Sequence, residues 1–161
     1  MRAEACAAKG ECGLIRIVVW LYRALGAAVA VGIMELLARF AQEPLMRVPF
    51  VTSIVLTLSL PDSEPAQPYA VIVGHLASCI AGFVALWCLG PGETASAAGV
   101  GLATLLMMVL RATHPPAGID AFLIAGWGLS INWALSPVLV GAVLLASFAR
   151  LWSIGGHRLA R

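Results

Sequence analysis

The stretch Arg111-Ala112-Thr113-His114-Pro115-Pro116-Ala117-Gly118-Ile119-Asp120 sets an arginine, a histidine and a carboxylate around two prolines. Proline ends a preceding helix but suits the first turn of a new one. His114 then falls just before a helix start, where unpaired N–H groups and the positive dipole end point outward. An anion there would meet backbone donors, with Arg111 adding positive charge. Gly118 would let a ligand or a second helix come close to the backbone. Asp120 follows in the same turn, inside an apolar run, where an ionisable group is costly and marks a functional site by default. It suits a proton carrier or a cation ligand. The plainer reading makes Pro115 and Pro116 a hinge, His114 an interfacial side chain, Arg111 a snorkelling cap, and Asp120 an internal partner of Arg111 or His114.

His75, in a second apolar run, can titrate near neutral pH or donate a hydrogen bond to an anion. Its place after Gly74, near Gln67 and Tyr69, predicts a pore-lining position, against the alternative of a packed core histidine. Thr52, Ser53 and Thr57 supply hydroxyls from a third run, unless they bond back to their own helix. Cys6 and Cys12, like Cys79 and Cys88, lack CxxC spacing, so neither a metal site nor a cofactor is expected. No catalytic nucleophile paired with a base is identifiable, although His114 with Asp120 would mimic an acid–base pair, so an enzyme is not expected.

The elements that must position these residues are set by composition. Of 161 residues, 61% are hydrophobic and 11% charged, against roughly 25% charged in a soluble domain. Mean hydropathy is +0.94. Disorder is excluded, and a net charge of +2 without a basic stripe argues against nucleic acid as a partner. The expected fold is an all-α polytopic membrane bundle whose surroundings are the lipid bilayer.

Four long apolar segments are expected at 14–40, 71–89, 95–110 and 134–152, with two short ones at 48–60 and 116–129. A span takes ~20 helical residues for a core of ~30 Å, so the short segments are the odd elements. The loop from Pro61 to Tyr69 carries Asp62 and Glu64 and must reach water, which favours six crossings over four spans with two re-entrant pieces. Residues 1–13 are expected as a tail, 14–152 as a single transmembrane domain and 153–161 as a second tail. Arg2, Lys9, Arg16 and Arg23, with Arg150, Arg158 and Arg161, place both ends in the cytoplasm and suit a bacterial cytoplasmic (inner) membrane. Arg39 and Arg47 count against this, partly neutralised by Glu35 and Glu43.

Pro49 and Pro116 are separated by 67 residues, as are Gly74 and Gly141, which suggests a 3+3 inverted repeat. Small residues four apart (Ala28 and Gly32, Gly74, Ser78 and Gly82, Ala97 and Gly101, Ala142 and Ala146) allow close helix packing and are compatible with a homo-oligomer.

His114-Pro115-Pro116-Ala117-Gly118 resembles the signature of the HPP family of small integral membrane proteins. Pro65-Ala66-Gln67-Pro68 followed by Gly74-His75-Leu76 resembles that family's second block, in the same order and separation. The similarity runs from about Arg47 to Trp152. The resemblance implies four spans and transport of a small solute; one branch of the family is associated with nitrite. Two departures stand out: Ile119-Asp120-Ala121 replaces the usual Ala-Thr-Ala, and Val51-Thr52-Ser53-Ile54 replaces Gly-Ala-Ser-Ala. A carboxylate beside an anion site opposes anion binding unless it is protonated or paired. The expected function is thus transport of a small polar solute, an inorganic anion such as nitrite included. Its path would be lined by His114, Pro115, Pro116, Gly118, Asp120, Arg111, His75, Gln67, Ser53 and Thr52. The alternative is a non-transporting scaffold whose polar residues only join helices.

Overall fold

The computed structural model describes residues 2–42 and 47–159, with side chains described over 13–42 and 48–159. All regular structure among them is helical: α1 (Arg2–Ala41), α2 (Arg47–Ser59), α3 (Pro68–Leu89), α4 (Glu93–Val109), α5 (Gly118–Trp127), a single turn α6 (Ile131–Trp133) and α7 (Val140–Leu159). Single 3-10 turns at Glu64–Ala66 and Pro115–Ala117 precede α3 and α5. A wide π-type turn, Ala134–Leu139, joins α6 to α7 and contains Pro137, with Ser136 out of helical conformation.

Among the described residues three stretches, rather than four, are both long and apolar enough to span: Gly13–Ala41, Pro68–Leu89 and Ile131–Leu159. The segment around α4 is cut to 17 residues. Gly90 and Gly92 turn the chain with positive φ at one end, and Arg111, with φ 51, takes a left-handed conformation at the other. The expected tails are helical where described. α1 begins at Arg2 and α7 runs to Leu159. The Glu43–Arg47 pair and the thiols Cys6 and Cys12 lie outside the described side chains.

Helix α1 packs on α2 and α7, α4 packs on α5 and α3, and α3 meets α7 between them. The first core gathers Ala30, Met34, Phe50, Ile54, Leu145 and Ala149. A second lies around Phe83, Ile124, Trp133 and Val138. Between α3, α4 and α5 the buried packing residues are Ala77, Ala81, Ala103, Ala117 and Ala121, with Met107 as the one large side chain among them. In lipid no hydrophobic force draws helices together, so such small residues bring backbones into dispersion contact.

Tyr22 on α1 stacks on Trp152 of α7, centroids 4.8 Å apart. The Tyr22 hydroxyl donates to the Trp152 carbonyl and the indole N–H donates to the Tyr22 carbonyl, each at 3.1 Å. At the same end His157 reaches Asp62 at 3.0 Å and Arg23 donates to the Ser59 carbonyl at 3.0 Å. The end of α7, the first half of α1 and the acidic 61–67 connection therefore share one end of the bundle. Trp152→Phe keeps the stack and loses the indole donor. It is expected to cost about 1 kcal/mol, read as a lower melting temperature in detergent micelles.

Candidate functional site

Seven polar or charged side chains are buried among the described residues: Ser53, Thr57, His75, Ser78, Ser96, His114 and Asp120. Four of them, drawn from α2, α3, the turn before α5, and α5 itself, form one chain of hydrogen bonds. Asp120 Oδ2 lies 2.6 Å from His75 Nδ1. His75 Nε2 lies 3.3 Å from Ser53 Oγ, which lies 2.9 Å from His114 Nε2. His114 Nδ1 lies 2.7 Å from the Pro65 carbonyl oxygen. A carbonyl only accepts, so His114 Nδ1 carries a proton and donates it there. All four side chains are 0% exposed.

Local chain geometry explains how these residues meet. α4 ends as Arg111 turns left-handed and the Ala112 N–H returns to the Met107 carbonyl at 2.9 Å, a Schellman-type stop. The chain then crosses α3 over Gly74, where an added Cβ would sit 2.8 Å from the His114 Cβ and 3.2 Å from the Ala112 oxygen. Glycine at 74 is thus what lets His114 reach the side of His75. Pro115 and Pro116 wind the 3-10 turn that starts α5, which sets Asp120 in its first turn facing α3. On α2, Ser53 Oγ also lies 3.1 Å from the Pro49 carbonyl. The Phe50 ring closes the cluster from the α1 side, 5.2 Å from the His75 ring. Beyond Phe50, α1, α2 and α7 leave an apolar cavity of about 340 Å³, lined by Met34, Ile54 and Leu145 among others.

The other expected site residues fall elsewhere. Arg111 is exposed, and His75 rather than Arg111 holds the Asp120 carboxyl. Gln67 donates to the Pro61 and Ser63 carbonyls at 3.0 and 3.2 Å, so it ties the connection together instead of lining the cluster. Thr52 is exposed, because one residue of helix turns it about 100° from Ser53. Gly118 has nothing within 4 Å of an added Cβ, so it makes no close approach. Pro115 is exposed and Pro116 partly so.

The expected anion cradle at the start of α5 is also filled. The Gly118 N–H bonds back to the Pro115 and Pro116 carbonyls, and the Ala121 N–H donates to Ser78 Oγ at 3.1 Å. Thr57 bonds back to the Ser53 carbonyl at 2.8 Å. Ser78 was expected from sequence only as a small packing residue, although it stands three residues after His75 and so on the same face of α3. One atom of the cluster is left over: Asp120 Oδ1 is buried with no hydrogen-bond partner. Among the described residues, no three His, Cys, Asp or Glu side chains converge to hold a metal ion.

A transmembrane protein of Dictyostelium discoideum is 33% identical over 105 residues, which cover 60% of this chain and 36% of that relative. The match thus spans about a third of the relative's length. No solved structure matches the chain. The profile of the HPP transmembrane region matches residues 13–158, which takes in every residue of the buried cluster. The chain belongs to the HPP transmembrane family and is an integral membrane protein.

Proposed function

We propose that the bundle is a transmembrane path for a small polar solute, with Ser53, His75, His114 and Asp120 as its binding site. One observation carries this reading: two histidines and a carboxylate are wholly buried where the two short helices meet α3. Burying such groups is costly, and the partners they need are supplied from four separate parts of the chain.

A 3+3 inverted repeat with six crossings supports the same reading. α1 packs on α2 and α7 as α4 packs on α5 and α3. Ser53 and Asp120 are 67 residues apart and both bond His75. Gly74 and Gly141 share that offset, and each makes room for a ring-bearing side chain, His114 and Phe50 respectively. Secondary transporters hold their solute at the junction of such repeats. Arg23 bonds the Ser59 carbonyl, Arg150 lines a recess with Gln67, Arg158 follows His157 on Asp62, and Arg111 follows Leu110, whose carbonyl accepts from Tyr69; this basic end, which holds the 61–67 connection, supports cytoplasmic termini. A small anion such as nitrite would face Asp120 Oδ1, so it fits only while that carboxyl carries a proton.

The test is uptake by proteoliposomes across a panel of small polar solutes, nitrite included. The parent is expected to accumulate at least one. Asp120→Asn takes the charge from one strong hydrogen bond and His114→Ala removes two, and each is expected to slow entry by about tenfold or more, with monodisperse protein retained. A parent indistinguishable from empty vesicles for every solute sinks the reading.

A scaffold is the second reading, and one observation favours it. Every hydrogen-bonding atom of the four side chains except Asp120 Oδ1 already has a partner within the chain. On that reading both variants melt earlier and no flux exists to lose. Ser53, His75 and Asp120 also fall in nucleophile–base–orienter order. A second histidine holds the Ser53 hydroxyl, so we favour a path over a hydrolytic centre.

A further inference from the structure

The cluster is a hydrogen-bonded line with two unlike ends. One end is the Pro65 carbonyl, in the connection that carries exposed Asp62 and Glu64 at the water-facing end of the bundle. The other is Asp120 Oδ1, buried and unpartnered. Four contacts lie between: Pro65 to His114, His114 to Ser53, Ser53 to His75, and His75 to Asp120. Each needs one proton if it is to be a hydrogen bond.

Counting those protons decides the charge. With four present and His114 donating to Pro65, two arrangements satisfy these four contacts; in both, the Ser53 hydroxyl is turned from the Pro49 carbonyl, to which it otherwise donates at 3.1 Å. In the first, His114 is an imidazolium, Ser53 donates to His75 Nε2, and neutral His75 donates Nδ1–H to an ionised Asp120. In the second, Ser53 donates to His114 Nε2, His75 donates Nε2–H to Ser53, and the last proton sits between His75 Nδ1 and Asp120 Oδ2. Both are neutral overall, which is the condition a water-free site demands. They differ only in where the positive charge lies.

We propose that these residues form a proton-transfer chain that carries protons through Asp120 from the end holding the 61–67 connection, with or without a solute present, and that solute passage draws on this proton movement. The coupling rests on the transport reading above. Passing from the first arrangement to the second, the His114 Nε2–H bond breaks as a Ser53 O–H bond forms. The original Ser53 O–H bond breaks as a His75 Nε2–H bond forms. His75, now charged, passes its Nδ1 proton to Asp120 Oδ2. No electron changes hands. Over a cycle Asp120 releases one proton, and the His75 ring turns over to set its remaining N–H on Asp120 again. The Ser53 hydroxyl turns back toward His75, and His114 takes one proton from water after its ring leaves Pro65.

Ser53 has the rotational freedom this requires. Its hydroxyl faces three acceptors: the Pro49 carbonyl at 3.1 Å and the two Nε2 atoms. Among the other titratable groups on the packed elements, Cys79, one turn along α3 from His75, is buried and close enough to Asp120 to feel its charge, whereas Glu64 in the connection is exposed. Arg150 of α7 lines the recess at the water end with Gln67. Arg23 of α1 is engaged with the Ser59 carbonyl. α4 brings Met107 against Gly74.

The test needs no solute. Vesicles loaded with a pH-sensitive dye and holding the purified chain are given an imposed pH difference, with valinomycin and potassium to clamp the potential. The parent is expected to pass protons faster than empty vesicles, Ser53→Ala to slow this by at least about tenfold, and Ser53→Thr, which restores the hydroxyl, to recover it. A parent equal to empty vesicles, or Ser53→Ala equal to the parent, overturns the proposal. Should Ser53→Ala fail to fold, nitrogen NMR of the parent's histidines decides. Neutral His114 is expected as the Nδ1–H tautomer, and an Nε2–H tautomer overturns the proposal. Solute uptake without proton movement overturns the coupling and leaves the path standing. Proton movement with no solute taken up supports the chain and removes the solute reading.

Discussion

His75→Ala is expected to destabilise the bundle by about 3 kcal/mol or more, the usual cost of breaking a buried pair from one side. The substitution strips the Asp120 carboxyl of its 2.6 Å partner while its other oxygen already has none. It also removes the ring against Phe50 and one partner of Ser53. Thermal unfolding in micelles measures the loss. A double variant, His75→Phe with Asp120→Leu, removes both polar partners together and is expected to recover much of it. A double variant as unstable as the single one would mean that lost packing dominates over the stranded carboxyl.

Gly82→Val is expected to do comparable damage by a different route. A Cβ at 82 would lie 2.9 Å from the Ala121 Cα and 3.0 Å from the Ile124 Cβ, with the Ala121 carbonyl at 3.2 Å. Two of these three atoms are backbone, so α5 as a whole must move. Overpacking of this kind costs about 1–3 kcal/mol, and here the displaced helix carries Asp120, the residue next to Ala121. Gly101→Val is the control, since nothing lies within 4 Å of a Cβ there. The comparison is made on melting temperature, and equal effects at 82 and 101 would refute the close-seam account.

Helical class and membrane setting were readable because composition alone excludes a soluble globule. His114 and Asp120 were readable because polar groups in apolar runs are expensive wherever they sit. Their partners were less so. Arg111 stands as close in sequence to His114 as any charge does, yet its left-handed turn sends the chain onward while the side chain stays outside. Proximity along the chain gave Gln67 to the site, whereas its amide is consumed by carbonyls of its own connection. Ser53 and Thr52 are indistinguishable by type, and only the facing of α2 separates them. The small-residue spacing was sound at Gly74 and Gly82, which touch neighbours, and empty at Gly32 and Gly101, which touch nothing.

The wide turn at Ala134–Leu139 has a consequence for chain length. Before and within it, Trp133, Ala134 and Val138 pack with Phe83 and Ile124; after it, Ala142, Leu145 and Ala149 pack with Met34 and Phe50. One strut thus serves both halves of the molecule, and the kink at Ser136, where the backbone leaves helical conformation, sets the angle between its two apolar stripes. Inserting or deleting a single residue in the helical winding after it would swing everything downstream by about 100°, turning the second stripe out toward acyl chains. A proline-bearing bend usually tolerates length variation; this one is a fixed-length gear, and related chains that keep both cores must keep its residue count.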